Sequence, residues 1–163
     1  MLTIKRLSRD DADALLAAAR AKSSEMGIPM CIAVTDESGN LVLFERMDGA
    51  KISSIATAID KAFTGATARK GTHIYNQLCV PGEPTFGIHN TNGGRFSIIG
   101  GGLPVEVDGQ VVGGIGISSG TAGEDLEIAQ AAVEQFLATR GPGGRRGSWR
   151  RTWCEGSSGV LPP

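Results

Sequence analysis

GGLPVEVDGQVVGGIGISSGTAGED, residues 101–125, decides the fold. LPVEV (103–107) and VVGGIGIS (111–118) are short apolar runs bounded by turn residues, which is strand patterning. The Asp108-Gly109 step between them is a hairpin turn. Thr121 is placed to cap a helix that starts near Ala122 and runs to about Thr139. Leu126, Ala129, Val133, Phe136 and Leu137 form its apolar stripe. Gly114, Gly116 and Gly120 read GxGxxxG rather than GxGxxG, and no βαβ unit follows, so this is not a dinucleotide loop. The amides at 118–123 still form a helix N-terminus of the kind that accepts an anion.

Upstream, RFSII (95–99) reads as one more strand, turned by the glycines at 100–102. MCIAVTD (30–36) and LVLFERM (41–47), joined by DESGN, form a second hairpin. Ser8 caps a first helix with Asp10, Asp11 and Asp13 in its first turn. Ala12, Leu15, Leu16, Ala19, Ser23 and Met26 recur at helical spacing, and Gly27 and Pro29 end the run. A second helix spans about Lys51 to Lys70. Its expected core stripe is Ile52, Ile55, Ala56, Ile59, Phe63 and Ala66. Beside that stripe lies a row of mostly small residues, Ser54, Thr57, Ala58, Lys61, Gly65 and Ala68. Such a row serves dense helix packing or the close approach of a flat ligand. The order is αββα, a long loop, then βββα. Without βαβ alternation a doubly wound parallel sheet is excluded. The expected fold class is α+β, with a five-stranded, mainly antiparallel sheet flanked by helices.

Composition agrees with one domain of about 140 residues, 1–140, followed by a tail, 141–163. Hydrophobic residues make up 40%, which excludes a disordered chain, and aromatics only 5%, so the core is aliphatic. The net charge of -1 gives no general case for nucleic acid. No run approaches the ~20 apolar residues of a membrane span, and no signal sequence is visible, so the expected location is the cytoplasm. The tail carries four Arg, one Glu and both Trp residues. It reads as a disordered arm, a partner-binding arm or a non-native extension. Cys31, Cys79 and Cys154 are an odd number without metal spacing, which fits a reducing compartment.

The segments DESGNLVLFERMDGA, KAFTGATA, GGLPVEVDGQVVGGIGISSGTAGED and the last helix together resemble the GlcG/HbpS-like family. That family includes the C-terminal domain of PduO-type cobalamin-processing proteins. The resemblance covers about residues 2–138. It implies a profilin-like α+β fold and homo-oligomers, commonly dimers that build higher assemblies. Some members bind haem, with a His on the first helix as an iron ligand. Here that helix reads DDADALLAAARAKSSEM, and residues 1–72 hold no His. The expected ligand is therefore a small organic anion ahead of haem.

The candidate site gathers around the loop VPGEPTFGIHNTNGGR, residues 80–95, which is too rich in Pro and Gly for regular structure. His89 is the acid/base or ligand candidate there, against the reading of an ordinary loop residue. Arg95 brings a cation beside it. Phe86 and Ile88 are expected to turn inward and anchor the loop. Lys61 either faces an anionic ligand or keeps its ammonium at the surface. Arg46, in the RMDGA run, suits a bidentate grip on a carboxylate or a structural ion pair. Thr64, Phe86, Gly101 and Gly102 complete the expected wall. His73 lies past the end of the second helix, where it meets the helix dipole. Two His residues without a third ligand do not make a zinc site, and no metal is expected.

Three functions follow from this reading. One is binding of a small organic anion. Another is proton transfer on a small oxygenated acid, an isomerase or lyase, with His89 as acid/base and Lys61 or Arg95 holding enolate charge. The third is an oligomeric scaffold that binds a partner through its tail.

Overall fold

The computed structural model describes residues 1–140 of the 163, so the expected tail with Trp149, Trp153 and Cys154 lies outside the described residues. The elements in chain order are α1 (Arg9–Met26), β1 (Cys31–Asp36), β2 (Leu41–Arg46), α2 (Ser54–Ala68), α3 (Thr72–Leu78), β3 (Gly102–Val107), β4 (Gln110–Ser118) and α4 (Ala122–Thr139). Two short 3-10 turns, Ile88–Asn90 and Asn92–Gly94, lie in the long loop. The strands pair β2-β1-β4-β3, antiparallel throughout.

Both long outer helices begin with reciprocal caps. Ser8 Oγ accepts from the Asp11 amide, and the Asp11 carboxylate accepts from the Ser8 amide. Thr121 and Glu124 repeat the arrangement at α4. These helices pack on one face of the sheet against Ile32, Val34, Leu103, Val105, Ile115 and Ile117. Because side chains alternate along a strand, Cys31, Ala33, Gly114 and Gly116 face the other way. There they meet α2.

That second face corrects the expected orientation of α2. Its buried residues are Ser54, Ala58, Lys61, Ala62, Thr64, Gly65 and Ala66. The small row packs inward, while Ile52 is 74% exposed and Ile55, Ile59 and Phe63 are only partly covered. The cause lies in the sheet. A Cβ on Gly116 would stand 2.0 Å from the Ala58 carbonyl oxygen, and one on Gly114 would stand 2.3 Å from that of Ala62. The helix backbone sits directly on the strand backbone, and only its small face fits at that separation.

The sheet also has four strands among the described residues, not five. RFSII is not a strand and joins no ladder. Hydroxyl groups on the helices take the place of ladder partners there. The Ser97 amide donates to Thr64 Oγ1 at 2.9 Å, and Thr72 Oγ1 donates to the Ile99 carbonyl at 2.5 Å. Phe96 is buried edge-on against Tyr75, with ring centroids 4.9 Å apart. Among the described residues, no helix is long and apolar enough to cross a membrane.

Candidate functional site

Lys61 lies at the junction of α2, β4 and the start of α4, and it is 1% exposed. Its Nζ donates to Asp125 Oδ2 at 2.6 Å and to the Ile117 carbonyl at 2.9 Å. Asp125 accepts a further bond from the Gly120 amide at 3.0 Å. Burial pulls the Lys61 ammonium below its usual range and pushes the Asp125 carboxyl up, and their contact opposes both shifts. Gly101 and Gly102 close over this pair. A Cβ at Gly101 would stand 2.7 Å from Asp125 Cβ, and one at Gly102 would stand 2.4 Å from the Lys61 carbonyl oxygen. The expected grouping of Lys61 with Gly101 and Gly102 is thus present as a packed junction rather than as an open wall. Asp125 was not among the expected site residues.

Arg95 joins the outer side of the same helix. Its Nε donates to Asp60 at 3.1 Å, and its guanidinium lies over the Phe63 ring, 4.1 Å from the centroid. The side chain remains 44% exposed. Thr64 is buried beneath, accepting from the Ser97 amide and facing the Arg95 carbonyl at 3.3 Å. The end of the long loop is therefore docked on α2 through Asp60, Phe63 and Thr64, while Lys61 Nζ is taken by Asp125 and the Ile117 carbonyl. Arg46 is exposed at the end of β2.

Within the loop, His89 meets an unexpected neighbour. Its Nδ1 lies 3.1 Å from Cys79 Sγ. Phe86 does not anchor the loop: it is 58% exposed, and Ile88 is only partly covered. Consecutive 3-10 and turn bonds, such as Phe86 amide to Glu83 carbonyl and Asn90 amide to Gly87 carbonyl, satisfy the loop backbone locally, so apolar character alone does not draw Phe86 inward. His73 is half-buried beside Gly71 and Leu103, and burial holds its imidazole below the usual range.

A separate cleft of about 230 Å³ is lined by Lys5, Arg6, Leu7, Asp11, Val107, Val112 and Arg140. Its cations are already occupied. Lys5 pairs with Asp108 at 2.9 Å, Arg6 with Glu37 at 2.6 Å, and Arg140 with Asp11.

A sequence profile described as haem degrading protein HbpS-like matches residues 7–134. The chain belongs to the HbpS-like family. Among its HbpS-like relatives is an uncharacterized 15.0 kDa protein from the dhaT-dhaS intergenic region of Citrobacter freundii. It is 39% identical over 119 residues, which cover 73% of this chain and 84% of that one. Among solved structures, Klebsiella pneumoniae ORFY superimposes with a TM-score of 0.83 at 34% identity, covering 85% of this chain and 95% of its own. The PduOC protein, solved as a haem complex, follows with a TM-score of 0.77 at 30% identity, covering 80% and 94%. The family resemblance read from the sequence motifs is borne out.

Proposed function

We propose that this HbpS-like chain is a ligand-binding protein that takes a small organic anion on the outer face of α2. The observation that carries this reading is the Arg95 guanidinium, held over Phe63, fixed by Asp60 and still open to solvent. Only Nε is engaged by Asp60, so the Nη fork is left to grip a carboxylate from two points. Phe63 and the partly covered Ile59 supply an apolar floor for the body of such a ligand. Lys61 acts through position: its buried bond to Asp125 fixes the helix that carries Asp60 and Phe63.

The same face supports a homo-oligomer. Ile52, just before α2, is exposed, and Ile55, Ile59 and Phe63 on α2 are only partly covered, because the small side of the helix is the one that fits the sheet. An apolar row of this kind on a small domain is stabilised by a second copy, which also shields the anion site from water.

Haem is the second reading, favoured by the likeness to PduOC in its haem complex. The first helix offers no His for it. Among the described residues, His89 meets Cys79 through Nδ1, so Nε2 is the nitrogen it could offer to an iron, while His73 lies half-buried against Gly71 and the cleft beside Arg6 presents neither imidazole nor thiol.

Calorimetric titration with lactate and pyruvate, as probes of small oxygenated carboxylates, tests the proposal. The wild-type protein is expected to bind at least one of them, and Arg95→Ala to weaken that binding about tenfold or more while keeping the wild-type circular dichroism. Equal affinity in a folded Arg95→Ala would overturn it.

A further inference from the structure

The loop holds a second chemical group, outside the anion site. Cys79 ends α3, and its Sγ lies 3.1 Å from His89 Nδ1. An imidazole thus stands within hydrogen-bond distance of one thiol.

Geometry of this kind stabilises a thiolate, because charge on sulfur is met by hydrogen-bond donors instead of apolar atoms. The bond to His89 is the main cause that holds the Cys79 thiol below its usual range. Cys31 is the contrast. It is 0% exposed, and burial pushes its thiol up. The two described thiols have been given opposite chemistry. Cys79 retains 8% exposure, whereas Cys31 has none, and its chain neighbours Leu78 and Val80 are exposed.

We infer that Cys79 and His89 form a nucleophilic thiol site that undergoes exchange with low-molecular-weight disulfides. The Cys79 thiolate attacks one sulfur of R–S–S–R. The Sγ–S bond forms as the S–S bond breaks, and the bonding pair leaves on RS⁻, which takes up a proton from the His89 side or from water. Cys79 becomes a mixed disulfide, and half of the small disulfide is reduced to a thiol. Excess small thiol reverses the step. Modification would separate Cys79 Sγ from His89 Nδ1.

The test is the rate of Cys79 labelling by 4,4′-dithiodipyridine as a function of pH, with each cysteine followed by peptide mapping. In the native wild-type protein, Cys79 is expected to react before Cys31. Its rate should also rise at lower pH than it does in the urea-unfolded chain, because the folded thiol ionises earlier. His89→Ala is expected to move that profile up in pH and to slow labelling at neutral pH about tenfold. Circular dichroism checks that the variant is folded, and the wild-type profile decides alone if it is not. A native profile that matches the unfolded chain, or an unchanged rate in folded His89→Ala, would overturn the inference. The readout does not involve Arg95, so the anion-binding proposal stands or falls separately.

Discussion

Gly116→Ala is expected to destabilise the fold by more than about 3 kcal/mol, the upper end for overpacking a core. The added methyl carbon would stand 2.0 Å from the Ala58 carbonyl oxygen and 2.4 Å from the Ala62 amide nitrogen. Both are backbone atoms of α2, so no side chain can rotate aside to make room. The helix would have to lift from β4, and that would disturb the packing of Ala58, Ala62 and Ala33 together. Gly123→Ala is the control. It lies in the first turn of α4 with nothing within 4 Å of its Cβ position, so a gain of up to about 1 kcal/mol is expected from helix propensity. Urea unfolding measures both. A Gly116→Ala midpoint close to wild type would mean that α2 does not lie on the strand backbone.

Asp125→Asn should be nearly as damaging, with a loss of about 3–5 kcal/mol, because it strands a buried ammonium without its counter-charge. Lys61 is 1% exposed, and its other partner is a single carbonyl. The asparagine keeps the shape and can still accept from the Gly120 amide, so the loss isolates the charge. Lys61→Met should cost a similar amount by stranding the carboxylate. The Lys61→Met/Asp125→Asn double variant is expected to lose clearly less than the sum of the two single losses, since neither isolated charge remains. Full additivity in urea unfolding would show that the two groups are not coupled.

These two sites also mark where the sequence stopped being readable. Local signals were enough for the hairpins and the capped helices. Asp108 and Gly109 both adopt positive φ at the β3–β4 turn, and Ser8 and Thr121 cap as their types demand. Orientation was harder. A stripe of Ile and Phe reads as a core face, and only the glycines of β4, which lie across the packing, reverse that reading for α2. RFSII has strand composition, but strand pairing depends on partners, and the hydroxyls of Thr64 and Thr72 claimed its backbone. Lys61 was visible as an odd residue among small ones, whereas Asp125 is 64 positions away and carries no local sign of the pairing. Cys79 and His89 are ten residues apart across a Pro- and Gly-rich loop. Nothing local in a loop without regular structure marks which of its residues meet, so this pair is visible only in the fold.

The partly covered apolar row formed by Ile52, in the turn before α2, and Ile55, Ile59 and Phe63 on α2 places both the anion site and the contact between copies on one surface. Sedimentation equilibrium of the wild type and of Ile52→Glu tests it most directly. Ile52 is 74% exposed, so the substitution leaves the core untouched. The account predicts that the wild type associates at micromolar concentration and that Ile52→Glu shifts it toward monomer. A wild-type protein that sediments only as a monomer, or an assembly indifferent to Ile52→Glu, would contradict it.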